Sequence, residues 1–408
     1  MSSRWPFVWG GLAIGIAESV YYLWYRSPIN VTFALAEAAA ALEDRTGLGQ
    51  TLYSRGYASG INGIFLGMVA GGLLAGLFAG ARRRVRYPWR TLAVAFLGGA
   101  LSGMGAVLAQ GDTLYHFIGG VAMLRTSSLF MVAFAIPFVF LALELMALLG
   151  VARAFEVSPG LNNTESRGDA VATAHGSSVI NIQLILGVVA VAAIAAIALL
   201  VGISGPGLIL LGIVVGLGVA RSGYGVEWSL LVPDSLASSP RFLQQLGLTP
   251  ATVRDLRHPS ALKAMLIAVL LPSATAFVLW LLDGFPSTLA VEITDGRGLD
   301  IGHVAGAPLL AIGSVLMIGC EFRNYARTGL GYTTALASLA GLLVGYIPGA
   351  LWGISINGWT QSNKIILSSW LPNFIAGGTT TWAIIWILFL LALLLGLRFT
   401  PASAKKRI

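Results

Sequence analysis

The stretch Gly313-Ser-Val-Leu-Met-Ile-Gly319-Cys320-Glu-Phe-Arg323-Asn324 runs from a glycine-bearing apolar segment straight into charged residues. An earlier stretch, Gly105-Ala-Val-Leu-Ala-Gln-Gly111-Asp112-Thr-Leu-Tyr-His116, does the same. Laid side by side without gaps, Gly105 falls on Gly313, Val107 on Val315, Leu108 on Leu316 and Gly111 on Gly319, which sets Asp112 opposite Cys320. This is an internal repeat, and it predicts a duplicated membrane protein. Polar and glycine residues at the end of an apolar segment are costly in hydrocarbon, so they face a cavity or a substrate path rather than lipid. The repeat therefore points to transport.

Composition agrees with the bilayer. The 408 residues are 56% hydrophobic and only 10% charged, against about 25% charged in soluble proteins, and the mean hydropathy is +0.82. A hydrocarbon core of about 30 Å takes roughly 20 apolar residues as helix. Runs of that kind occur near residues 5–25, 60–80, 91–110, 128–151, 179–202, 261–282, 305–319, 332–351 and 378–398, with a shorter one at 206–220. The first run continues through Glu18 to Tyr25 without a small-residue cleavage site, and reads as a retained helix. The expected fold class is all-α and polytopic.

The formal charge of +8 does not indicate nucleic acid, because the arginines sit in loops between spans and no nucleic-acid motif surrounds them. Arg82, Arg83, Arg84, Arg86 and Arg90 crowd one connection, while Arg398, Lys405, Lys406 and Arg407 crowd the C-terminal tail. The positive-inside rule places both in the cytoplasm, making this a multi-pass inner-membrane protein with a cytoplasmic C-terminus. One cysteine excludes an intramolecular disulfide and a cysteine-built zinc site. Neither a metal nor a cofactor is expected. No Gly-x-x-x-x-Gly-Lys-Ser/Thr occurs, which argues against ATP hydrolysis by this chain.

The polar interval 153–178, with Pro159-Gly160 and Asn162-Asn163, reads as a linker between an N-terminal membrane repeat, 1–152, and a C-terminal one, 179–408. The loop before the first motif is the arginine cluster. The loop before the second carries Asp283, Glu292, Asp295 and Asp300 against Arg297. Equivalent loops of opposite charge predict halves threaded in opposite senses, as in inverted-repeat transporters with broken helices and a site near the midplane. Gly63, Gly67 and Gly71, then Gly72, Gly76 and Gly80, recur every four residues and predict close helix approach. Gly99 and Gly103 in one repeat helix are matched by Ala307 and Ala311 in the other.

Cys320 stands where a new helix should begin, a place that favours anions and lowers a thiol's pKa; most lone cysteines are instead small buried hydrophobes. Arg323 and Arg327 lie one turn apart on one helical face and can grip an oxyanion, or simply snorkel at a membrane edge, with Glu321 available to neutralise one of them. Asp112 and His116 have the spacing to exchange a proton, or to cap the broken helix. His116 is read as the only one of four histidines inside an apolar region. Arg26-Ser27 and Arg221-Ser222 echo each other after two apolar runs, which adds Arg26 and Arg221 to the candidates. Glu18, Glu144 and Glu227 are further acids in or near spans, each able to pair with an arginine or carry a proton.

These motifs resemble the YeeE/YedE sulfur-transport proteins, whose members include thiosulfate transporters. The resemblance rests on two halves, each with an Arg-Ser-type motif and then a glycine-rich helix ending, in the second half, in Gly319-Cys320 with Arg327 and Gly329 following. It implies that a small inorganic sulfur anion passes along cysteines near the membrane centre, with Cys320 at one such position. Asp112 stands where the first-half cysteine is expected, and Asn30 and Gly225 roughly where those of the Arg-Ser motifs fall. Thiosulfate or a related sulfur compound is the implied substrate. Two rival readings are a membrane-embedded sulfur transferase that carries persulfide on Cys320 to a cytoplasmic sulfur-carrier protein, and a structural subunit of a membrane complex.

Overall fold

The computed structural model describes residues 5–31, 63–78, 87–152, 206–226, 241, 245, 258–283, 299–346, 364–366 and 379–399. In chain order these form α1 (Phe7–Tyr25), α2 (Gly63–Phe78), α3 (Trp89–Ala109), a π-helical turn (Tyr115–Gly120), α4 (Thr126–Leu148), α5 (Pro206–Ser222) and α6 (His258–Asp283). Then follow β1 (Leu299–Asp300), α7 (Ile301–Leu316), α8 (Glu321–Leu330), α9 (Thr333–Tyr346), β2 (Lys364–Ile366) and α10 (Thr379–Phe399). The two short strands pair antiparallel. The fold is all-α, and each apolar run anticipated in the described residues is a helix. The run at 179–202 and the linker at 153–178 lie outside those residues.

Five helical segments are long and apolar enough to cross a bilayer: Trp89–Ala109, Thr126–Leu148, Ala261–Leu282, Ile301–Leu330 and Thr381–Phe399. Large side chains such as Trp24, Leu282, Leu388 and Phe399 stand exposed on the outside, where a soluble protein would place charge and a membrane protein meets lipid.

Glycine decides how the helices meet. A side chain on Gly11 would strike the backbone of Ala264, and one on Gly15 would meet Ala268 and Leu271, so α1 and α6 run parallel at close range. Gly67 and Gly71 of α2 face Gly212 and Gly216 of α5 in the same parallel sense. Of the glycines spaced by four in the sequence, Gly67 and Gly71 form this contact and Gly72 meets the backbone of Ala326, while Gly80 lies outside the described residues. Gly341 and Gly345 of α9 likewise meet Phe96 and Ala100 of α3.

The two repeat helices cross antiparallel. Gly98 of α3 abuts Leu316 and Met317 at the end of α7, while Gly105 abuts Gly306, Leu309 and Leu310 near its start. Small residues on both sides bring the backbones together without a hydrophobic driving force, which lipid cannot supply.

Candidate functional site

Both repeat helices stop in the same way. At the end of α3, Gln110 turns to φ 59°, its N–H donates to Val107 O (3.2 Å), and the Gly111 N–H donates to Ala106 O (3.0 Å). At the end of α7, Ile318 turns to φ 64°, its N–H donates to Val315 O (2.9 Å), and the Gly319 N–H donates to Ser314 O (2.9 Å). Each is a Schellman-type stop that satisfies carbonyls a helix end would orphan. The chain then restarts, with His116 N donating to Asp112 O and Asn324 N to Cys320 O, both at 3.0 Å. Even the side chains correspond: the His116 ring contacts Ala109 O (2.9 Å) and the Asn324 amide donates to Met317 O (3.2 Å).

The π-helical turn breaks this register by one residue. Beyond it, Arg125 N donates to Gly120 O where Tyr332 N donates to Arg327 O, a correspondence one residue shorter than at the breaks. A π turn holds one residue more than an α turn, which accounts for the one-residue shift between the two segments.

The two restarted helices meet end to end in a buried interior. The Thr113 hydroxyl donates to Glu321 Oε2 (2.5 Å), and Ser102 of α3 donates to the other oxygen, Oε1. Asp112 caps its helix by accepting from Tyr115 N (2.8 Å) and also accepts from Val31 N (2.6 Å). Glu18, in α1, accepts from Ile29 N through Oε2 (3.0 Å). Alternate N–H groups of the stretch after α1 are thus taken by two buried carboxyl groups. Glu18, Asp112 and Glu321 are all fully buried.

Cys320 is the N-cap of α8 and its side chain makes no capping hydrogen bond. One turn on, the buried Arg323 lies across Gly319, where an added Cβ would come within 2.8 Å of its Cδ. Gly319 has φ 139°, a conformation only glycine adopts without strain. Glycine here gives both the turn and the room for the Arg323 side chain against the backbone that precedes Cys320.

Five of the seven candidates, Asp112, His116, Cys320, Arg323 and Arg327, come together at the two breaks. Their individual tasks differ from the expectations. Both ring nitrogens of His116 are engaged, by Ala109 O and by Ser128 Oγ (3.1 Å), so it does not bond Asp112. Glu321 is hydrogen-bonded by two hydroxyls rather than paired with an arginine. Arg327 donates to Ile318 O (2.7 Å) and lies over the Tyr332 ring (4.6 Å), holding the break together from inside instead of marking a membrane edge. Arg26 is the left-handed C-cap of α1. Arg221 lies over Trp5 at the far end of α1 from Glu18, roughly 17 Å away by helical rise. The Arg-Ser echo is also offset in conformation, because α5 continues past Arg221 and turns only at Gly223.

His116 is not alone in the interior. His303 is buried at the start of α7, where Asp300 accepts from its N–H (3.1 Å) and its ring bonds back, and the two imidazoles lie 5.6 Å apart. Thr113 belongs to the polar cluster that the sequence shows at the first break, whereas Ser102 had no sequence signal. No group of three metal-ligating side chains occurs among the described residues.

Residues 1–141 match the family model described as Sulphur transport. This part of the chain is similar to the sulphur-transport family. The matched residues contain α1, the carboxyl-bound stretch after it, α2, α3 and the break at Asp112, and they end inside α4. No curated protein and no solved structure matches the chain. The bilayer-length helices make this a multi-pass membrane protein, and its first 141 residues resemble a sulphur-transport family.

Proposed function

We propose that the protein moves a small sulfur-containing anion, thiosulfate or a close relative, across the cell's inner membrane along a path through the two helix breaks. The observation that carries the reading is the meeting of two helix N-termini in a buried interior, with Cys320 as the N-cap of one of them and the buried Arg323 three residues on. Such ends present N–H groups and positive dipole to an anion. Cys320 supplies a weak S–H donor and Arg323 a fixed positive charge, so together they suit a sulfur oxyanion. Arg327, Asp112 and His116 hold the breaks in shape around them.

The inverted-repeat organisation belongs to the same proposal. Its supports are the antiparallel crossing of α3 and α7, the hydrogen bonds shared by the two breaks, and the reciprocal contacts of α1 with α6 and of α5 with α2. Halves related in this way can rock about a fixed central site. The arginine-rich loop and tail place the C-terminus in the cytoplasm.

Uptake of radiolabelled thiosulfate into proteoliposomes, with sulfite, sulfate and sulfide as unlabelled competitors, tests the reading. Wild-type uptake that is lost in Cys320→Ala and Arg323→Gln supports it. Folded wild-type protein that neither takes up nor is competed by any of these anions overturns it. A covalent sulfur adduct on Cys320 without flux would establish the persulfide-carrier alternative.

A further inference from the structure

One buried group has no task in that scheme. Glu18 sits within α1, fully buried, with Oε2 bound to the Ile29 N–H, while Oε1 is buried without any hydrogen-bond partner. No salt bridge to Glu18 occurs among the described residues. Burying a carboxylate with one oxygen unbonded and no counter-cation is costly, and taking up a proton removes that charge. The geometry around it is made for a carboxyl group. A Cβ on Gly119 would stand 3.3 Å from both Glu18 oxygens and press on Pro28, so the glycine leaves the space in which this group sits.

We infer that Glu18 carries the coupling proton of this membrane protein, taking a proton onto Oε1 from one side and releasing it to the other as the halves rock. The step is a proton transfer only: an O–H bond forms on uptake and breaks on release. The driving co-reactant is the transmembrane proton gradient. The inference rests on the transport reading above.

The surroundings fit such a role. The Glu18 carboxyl is in electrostatic contact with Asp112, and Asp112 with Glu321, which Thr113 links to the opposite helix end. These three form a row of acids from α1 to α8, and Tyr346 lies within reach of the last two. The cations and other titratable groups on elements packed against α1 are elsewhere. On α6, His258 and Lys263 lie at or before the level of Ala264, which faces Gly11, well below Glu18. On α5, Arg221 is at the Trp5 end. In the π turn, Tyr115 is bonded by Arg125 and His116 is bonded by Ala109 and Ser128. Arg26 follows two turns later, at the C-cap. Glu18, Asp112 and Glu321 are thus three buried acids near one another, and the proposed proton route runs along them rather than through Cys320 or Arg323.

The test uses full-length protein in proteoliposomes with a trapped pH dye and labelled thiosulfate, comparing wild type with Glu18→Gln and Glu18→Asp. For wild type, a one-unit inward proton gradient should drive accumulation of roughly tenfold per coupled proton, with matching acidification of the lumen. Glu18→Gln should keep thiosulfate counterflow at zero gradient and lose both gradient-driven accumulation and acidification; Glu18→Asp should retain coupling with a displaced pH profile. Wild-type counterflow unaffected by the gradient overturns the inference and leaves the transport reading standing, as does gradient-driven accumulation in Glu18→Gln. Absence of counterflow in wild type overturns the transport reading and the inference together. Should Glu18→Gln not fold, Glu18→Asp decides: a displaced pH profile of coupling supports the inference and a wild-type profile overturns it.

Discussion

Arg323 and Arg327 are neighbours on one face of α8, yet the fold gives them different work. Arg327 donates to the Ile318 carbonyl inside the break and covers Tyr332. Its loss leaves a buried acceptor unmet, which costs about 1–3 kcal/mol. Arg327→Gln should therefore lower the unfolding midpoint in detergent, and Arg323→Gln should raise the apparent KM for the anion. Thermal unfolding and uptake kinetics on the two variants separate these outcomes, and the reverse pattern would exchange the roles. Asp112 gives a second case. Asp112→Cys places a thiol where the resembled family carries one, but a thiol is a weak acceptor, and the Tyr115 and Val31 N–H groups lose their carboxylate. Loss of an N-cap costs about 0.5–2 kcal/mol, so this variant should be less stable than wild type. A midpoint at or above wild type would show that Asp112 is not a cap in any energetic sense.

At the scale of elements, the crossing of α3 and α7 is set by backbone approach. A Cβ on Gly105 would lie 2.7 Å from Leu310 N and 2.9 Å from Leu309 Cβ, with backbone that cannot yield easily. Overpacking of this kind costs about 1–3 kcal/mol. Gly76 is a control in the same protein, because its nearest neighbour is the flexible end of Leu330 at 3.4 Å. Gly105→Ala should destabilise the protein in a detergent melt and Gly76→Ala should not; equal effects would refute a crossing set by glycine. The helices were legible in the sequence because bilayer-length apolar runs admit few alternatives, and the breaks were legible because Gly111-Asp112 and Gly319-Cys320 interrupt such runs. What partners a polar group was not legible. Glu321 reads as a counterion for a nearby arginine, and only the meeting of two helix ends puts it against Ser102 and Thr113. Histidine burial failed for a related reason: His303 follows Asp300 in a polar-looking stretch, and its burial comes from the capping box that turns it inward. The one-residue slip at the π turn likewise needs backbone hydrogen bonds to be seen.

For the whole molecule, the arrangement of the halves can be tested without any substrate. α3 begins after the arginine-rich connection and α7 after the acidic one, and the two helices cross antiparallel. Trp89 and Ile301, the first residues of each, then lie toward opposite faces of the membrane if both helices span it. The single cysteine makes this directly measurable, since Cys320 is buried and Cys320→Ala provides a background free of thiols. In that background, Arg90→Cys and Ile301→Cys place one exposed thiol at each helix start. A membrane-impermeant maleimide applied to intact cells should label one of them and, in inside-out vesicles, the other. Positive charge beside Arg90 predicts that its thiol is the cytoplasmic one, protected in cells and labelled in inverted vesicles. Labelling of both from the same side would remove the opposed threading, and with it the inverted arrangement in which the two breaks meet at one shared site.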